Sequence, residues 1–378
     1  MEFFTEEHEI FRQSFRRFIE KEILPQYDEW EKKGETPRGI WKKLGEQGYL
    51  CPWLEEEYGG PGGSFEYSII INQETARAAI NVGFGLHSDI IAPYLASYGT
   101  EEQKRKWLPG CASGDTILAI AMTEPNTGSD LQAISTTAIK DGDHYVLNGQ
   151  KTFISNGIAA DLFIVACKTD PQAVPAHKGI SLIVVEADTP GLVKGRKLEK
   201  LGLRSQDTAE IYFENCRVPV ANLLGEEGRG FAYMMEKLQQ ERLVSSVYSQ
   251  GLAERMLSDA IEYAKTREAF GQPIGKFQYN AFKIAELATE VELGKVFLEK
   301  VTADHLAGKD VVTQVSMAKY WIGEMANRVA YQCLQLYGGY GYSEEYPIAR
   351  HYRDVRVHTI YAGSSEMMKL IIARKLGF

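Results

Sequence analysis

Cysteine is scarce in this chain and positive charge is outnumbered, and both shortages narrow what the protein can do. The five cysteines (Cys51, Cys111, Cys167, Cys216 and Cys333) are odd in number, scattered, and form no C-x-x-C pair. That pattern gives no disulfide framework and no zinc-site spacing, and unpaired thiols fit a reducing compartment. Acidic residues exceed basic ones by 51 to 42, a net charge of −9. This argues against a general nucleic-acid binder, which carries a basic face. No apolar run approaches the ~20 residues that span a bilayer, so no membrane insertion is expected. The opening MEFFTEE lacks the basic start and apolar stretch of a signal peptide and is too acidic for a transit peptide. A cytoplasmic protein is expected, or one of the mitochondrial matrix if a leader has been removed.

Several chemistries lack their motifs. No G-x-G-x-x-G follows a strand pattern, which argues against a Rossmann dinucleotide site. GQPIGKF (271–277) is one residue short of a P-loop between its glycines and lacks the Ser/Thr after lysine. Neither H-E-x-x-H nor G-x-S-x-G occurs. The seven histidines are dispersed, so no metal site is expected.

What is present is an ordinary globular composition, 44% hydrophobic and 25% charged over 378 residues. That length suggests two or three domains. Residues 1–116 read as helical. Phe11, Phe15, Phe18, Ile19 and Ile23 mark one face of an opening helix expected to stop before Pro25. Further helices are expected over about 40–47, 64–79 and 100–112, with a loop at 59–63. Residues 117–229 show short apolar or alternating runs separated by turn signals at 141–143, 148–149, 156–157 and 189–191, the texture of a barrel or sandwich. Residues 230–378 return to helical periodicity, with helices expected over about 230–266, 279–307, 311–337 and 345–375. Four long amphipathic helices can bury their faces as a bundle. The fold class is therefore α+β: a helical domain, a middle β domain and a C-terminal four-helix bundle.

Within the bundle's first helix, Phe231, Met234, Met235, Leu238 and Arg242 recur at three- and four-residue steps. Glu241 follows Leu238 by three and Met234 by seven, so its carboxylate falls with the apolar side chains. A carboxylate so placed resists ionisation and becomes a base near neutral pH. A structural carboxylate neutralised by Arg242 or a distant cation fits the same pattern.

Three segments stand out: AMTEPNTGSD (121–130), KTFISNG (151–157) and IYAGSSE (360–366). Singly they read as a strand end with a turn, a hairpin strand, and a serine-capped helix start. Together, in this order, and with REAFG (267–271) and LYGGYG (336–341), they resemble the acyl-CoA dehydrogenase family of flavoproteins over essentially the whole chain. KGRKLEKLGLRSQDTAE (194–210) and LQQERL (238–243) look most like its long-chain branch.

The resemblance implies roles that periodicity does not supply. Met122, Thr123, Gly128 and Ser129 border the ring of an FAD and the pantetheine arm of an acyl-CoA. Phe153, Ile154 and Ser155 lie against the flavin. Arg267, Phe270, Gln278, Gln335 and Gly339 reach the FAD from a neighbouring subunit, which implies a homotetramer. Arginine suits the pyrophosphate because its planar fork matches phosphate oxygens. Ser364 and Glu366 contact FAD, and Ser129, Arg242, Tyr361 and Gly363 contact the substrate. Arg242 holds the substrate or orients the base, with plain pairing on the helix surface the alternative.

Many family members carry a catalytic glutamate where this chain has Ala362. The long-chain and isovaleryl branches place it instead on the helix opening the bundle, and the matching position is Glu241. The implied reaction is α,β-dehydrogenation of an acyl-CoA thioester to the trans-2-enoyl-CoA, of medium to long straight chain, in fatty-acid β-oxidation. Glu241 takes the α proton, the β hydride goes to flavin N5, and the Ala362 N–H stabilises the thioester oxygen. An electron-transferring flavoprotein is the implied acceptor. The alternatives are an isovaleryl or short branched-chain acyl-CoA dehydrogenase, an acyl-CoA oxidase, and a redox-silent scaffold.

Overall fold

The computed structural model describes residues 3–378. Helix α1 (Glu6–Phe18) begins at Thr5, whose hydroxyl and backbone close a capping box with His8. The helix does not stop before Pro25, contrary to the sequence reading. A π-helical turn, Ile19–Ile23, carries it directly into α2 (Leu24–Lys33), with Pro25 in the first turn. Proline lacks an N–H and clashes with the carbonyl four residues back. The wider turn, in which Leu24 N–H bonds Ile19 C=O, shifts that register and admits the ring. The same device recurs where the π-turn Leu86–Ile91 precedes Pro93.

Helices α3 (Arg38–Glu46), α4 (Phe65–Arg77), α5 (Ala92–Tyr98) and α6 (Glu101–Ser113) complete this layer. The stretch from Leu86 to Tyr98 escaped the periodicity because it buries polar His87, Ser88 and Asp89.

Strands β1 (Leu118–Ala121), β2 (Thr137–Asp141), β3 (His144–Ser155), β4 (Leu162–Lys168), β5 (Ile180–Glu186), β6 (Leu192–Lys197), β7 (Thr208–Pro219) and β8 (Leu223–Leu224) form one eight-stranded sheet. Its order is β6-β7-β3-β2-β4-β5-β8, with β1 parallel to β4. A single residue pair, Thr137 with Lys168, joins β2 to β4. The sheet bends back on itself there, around a core of Leu147, Phe163, Val165, Ile183, Ile211 and Phe213. Alternate residues of β4 and β5 (Leu162, Ile164, Leu182, Val184) face the other way, against Tyr94, Leu95 and Trp107 of α5 and α6. Asn148 and Gly149, expected to form a turn, lie inside β3. Gly149 has φ 151° and sits at a register shift against β7, with Thr136 filling the space of any side chain. It is a bulge residue, which explains how a turn signal enters a strand.

Helix α7 (Gly230–Thr266) runs the length of the bundle. A two-stranded hairpin (β9, Glu268–Ala269; β10, Gln272–Pro273) leads to α8 (Gln278–Leu306) and α9 (Val312–Tyr337). Leu243, Val247, Met256, Leu298, Ile322, Met325 and Val329 form the core between them. The helix expected over 345–375 is split into α10 (Pro347–Val355) and α11 (Ser365–Lys375). The break holds a 3-10 turn at Arg356–Thr359, then Ala362 and Gly363 at φ 52° and 88°. A left-handed backbone at both residues cannot continue an α-helix.

Candidate active site

A cavity of about 1180 Å³ opens where the helical layer, the sheet and the bundle meet. Three chain segments converge on it. Met122, Thr123, Gly128 and Ser129 come from the loop after β1; Phe153, Ile154 and Ser155 come from the end of β3; Tyr361, Ala362, Gly363 and Ser364 come from the break before α11. Glu241, Val244, Ser245 and Tyr248 project into it from α7.

The first two segments are fixed by a buried ion pair that sequence reasoning missed. Lys151 Nζ lies 2.8 Å from Glu124 Oε1, and neither side chain is exposed beyond 2%. Lys151 also donates to Met122 C=O at 3.0 Å. Glu124 accepts from the backbone N–H of Ser135 and Thr136 and from the Ser135 hydroxyl. Burial pushes the Glu124 carboxyl up, but Lys151 and these donors outweigh it and bring it down to about 2. Thr152 N–H bonds Thr123 C=O at 2.9 Å, so the loop and the strand are tied together. The signal in the sequence was a lysine between the turn signals of KTFISNG and the apolar run before them, at a position the strand turns inward.

Tied in this way, the segments offer groups that have no use in the folded chain itself. Phe153 holds a positive φ of 56° and is 68% exposed. No atom lies within 4 Å of where a Gly128 Cβ would stand, so the missing side chain opens space and relieves no packing. The hydroxyls of Thr123, Ser129 and Ser155 make no hydrogen bond among the described residues. An exposed aromatic ring, free hydroxyls and a side-chain-free backbone fit a large flat ring system with polar edges, as a flavin is.

Glu241 faces the cavity with its carboxylate bonded to nothing among the described residues. The residue is half-buried. Burial pushes it up to about 7, against the pull of Arg242 and Lys319. Arg242 itself is buried and does not line the cavity. Its Nε has no partner, and its guanidinium makes no ion pair among the described residues. The Ala362 N–H, brought to the cavity by a different segment, is likewise free of any bond to the described residues. Tyr361 stacks on His358 at 5.4 Å and 7°, which holds the start of this turn. An unpaired carboxylate poised near neutrality and an unpaired backbone donor, lining one cavity, can take a proton and stabilise the oxyanion that results.

The other expected residues lie elsewhere. Glu366 is exposed on the first turn of α11, outside the cavity. Arg267, Phe270, Gln278, Gln335 and Gly339 sit on a separate solvent-facing surface at the hairpin end of the bundle. There Arg267 covers the Tyr340 ring at 5.3 Å and Phe270 is 97% exposed. Of Ser245, Ser246 and Ser249, one to two turns beyond Glu241 on α7, Ser245 lines the cavity. Ser246 and Ser249 bond back to the helix carbonyls of Arg242 and Ser245.

Comparisons with known proteins place this architecture. Residues 5–115, 119–216 and 228–377 match, in turn, the profiles of the N-terminal, middle and C-terminal domains of acyl-CoA dehydrogenase. The chain is 47% identical to the long-chain specific acyl-CoA dehydrogenase of Sus scrofa mitochondria, over 99% of this chain and 87% of that protein. It is 38% identical to the isovaleryl-CoA dehydrogenase of Pongo abelii mitochondria, over 98% and 88%. The crystal structure of acyl-CoA dehydrogenase from Geobacillus kaustophilus superposes with a TM-score of 0.99 at 60% identity, covering 100% of this chain and 99% of that one.

Proposed function

The chain belongs to the acyl-CoA dehydrogenase family, flavin-dependent oxidoreductases acting on CH–CH groups, and from that premise we propose that it oxidises medium- to long-chain straight acyl-CoA with Glu241 as its base. The observation that carries the assignment is the Glu241 carboxylate, unpaired at the cavity wall, in a chain whose Ala362 can take no proton.

Met122, Thr123, Phe153, Ile154 and Ser155 would hold the ring of FAD, and Gly128 and Ser129 would lie where ring and thioester meet. When bound, FAD supplies the acceptor for the two electrons that leave Cβ as hydride. The chain's own residues do the rest. Glu241 takes the proton from Cα. The Ala362 N–H donates to the thioester oxygen, where charge grows as that proton leaves. The acyl chain displaces water from beside Glu241, which raises its pKa further and strengthens the oxyanion contact. Tyr361 borders the substrate, and the positive charge of Arg242, next to Glu241 on α7, favours the ionised base from behind the cavity wall.

The second surface supports an oligomeric reading. Arg267, Phe270, Gln278, Gln335 and Gly339 form an exposed face with an aromatic ring and a cation on it. We assign them to the FAD of a neighbouring subunit in a homotetramer. An electron-transferring flavoprotein would then reoxidise the enzyme.

Identity to the long-chain relatives supports the chain-length assignment, and identity to the isovaleryl relative keeps the branched-chain reading in play. Rates of anaerobic flavin reduction by dodecanoyl-CoA, palmitoyl-CoA and isovaleryl-CoA decide between them. Faster reduction by the straight chains is expected; preference for isovaleryl-CoA moves the assignment to that branch. Rapid peroxide formation in air would identify an oxidase instead.

A further inference from the structure

Lys319 lies in α9 between Val315 and Ile322, among residues that form the bundle core, and is 2% exposed. An ammonium in such a place needs a reason, since burying it costs free energy unless it is paired. Its Nζ donates to Gly363 C=O at 2.6 Å. Gly363 directly follows Ala362 in the left-handed turn that breaks the C-terminal helix.

The contact belongs to a row along α9. One turn on, Gly323 lets the backbone at His358 come close: a Cβ on Gly323 would stand 2.9 Å from His358 C=O. A further turn on, Asn327 donates to Val355 C=O at 3.1 Å. Glu324 accepts from the Ser365 hydroxyl at 2.7 Å. Residues 319, 323 and 327 thus hold the backbone from Val355 to Gly363 along one helix face.

A neutral donor, such as the Asn327 amide in the same row, holds a carbonyl at less cost of burial. What only lysine adds is charge. The groups facing it are Glu241 and Arg242 of α7, Glu324 of its own helix, Glu366 of α11, and His358 and Tyr361 of the intervening segment. The groups facing Glu241 are Arg242, Lys319, Tyr94 of α5 and Tyr361.

Resting on the reading of Glu241 as base, we propose that Lys319 is a positioning residue with two separable effects: it clamps the turn that aims the Ala362 N–H, and it places a positive charge behind the Glu241 carboxylate. The charge favours the ionised, proton-accepting form of Glu241. Burial in turn draws Lys319 down to about 8, with Glu241 opposing the fall.

Lys319→Met, Lys319→Gln and Lys319→Arg in the FAD-loaded enzyme separate the effects. The readouts are the pH profile of anaerobic flavin reduction by dodecanoyl-CoA and amide hydrogen exchange across 360–366. Lys319→Met should lose both effects: faster exchange, turnover lower on the order of tenfold from misplacement, and an acidic limb moved up by about one pH unit. Lys319→Gln should keep near-normal exchange yet show the moved limb. Lys319→Arg should return the limb toward wild type. Asn327→Ala, which loosens the same row without a charge change, should speed exchange near Val355 and leave the limb in place. Wild-type limbs in both the Met and Gln variants would overturn the electrostatic effect, and unchanged exchange in Lys319→Met would overturn the clamp. Failure of the wild type to be reduced by any acyl-CoA would instead overturn the reading of the site, while exchange still tests the clamp.

Discussion

At the residue scale the account rests on Glu241. Its carboxyl stands at about 7 because burial outweighs the attraction of Arg242 and Lys319. A base must be ionised to act, so kcat/KM for acyl-CoA should rise with pH through an acidic limb near 7. A flat profile from pH 5 to 8 would contradict this. The same shift has a consequence for stability. The folded pKa lies above the unfolded one, so the folded state binds the proton more tightly, and stability falls as pH rises from about 4.5 through 7. Glu241→Gln cannot ionise and escapes that loss. Its Tm should exceed the wild type's at pH 8 and match it near pH 4, as calorimetry at the two pH values would show.

The position of Glu241 was legible in the sequence because one helix face repeats every three to four residues. Its role was legible only through the alanine at 362. The unpaired state of the Arg242 guanidinium and the Ala362 N–H was not legible, since each depends on what distant segments fail to offer.

At the element scale, the long helices α7, α8 and α9 were legible within a residue or two, because the glycine and proline signals at 271–273 and 338–341 punctuate them. Misreadings fell where a local signal was overridden by its neighbours. Pro25 ends no helix because a π-turn shifts the clashing carbonyl. Asn148 and Gly149 make no turn because the flanking strand runs through them as a bulge. The C-terminal helix breaks after Val355, and the Lys319 contact to Gly363 and the Tyr361–His358 stack hold the turn in which Ala362 is left-handed.

The Lys151–Glu124 pair is the element-scale prediction. Lys151→Met leaves the buried Glu124 carboxylate without its counter-charge. That should cost roughly 3–5 kcal/mol of stability and loosen the tie between the two cavity segments, so FAD is lost during purification. Chemical denaturation and the flavin-to-protein absorbance ratio measure both. A variant with wild-type stability and flavin content would show that the pair does not set the site.

At the scale of the whole molecule, the residues assigned to FAD divide between two surfaces of one chain. Either surface alone would leave the cofactor half held. Complementation tests this division. Glu241→Gln alone should lack the base, and Arg267→Ala alone should weaken FAD binding. In mixed oligomers a chain with intact Glu241 meets a neighbour with intact Arg267, so co-expression of the two variants should restore activity above that of either one. No recovery in verified mixed oligomers would place Arg267 and Glu241 at the same chain's site or remove Arg267 from it.

The most direct test of the central claim is anaerobic mixing of dodecanoyl-CoA with the FAD-loaded wild type and with Glu241→Gln, following flavin absorbance. With Glu241 as the base, the wild type should bleach rapidly and the variant at a rate lower by at least about 10²-fold, with FAD retained in both. Comparable bleaching in the two proteins would contradict Glu241 as the base.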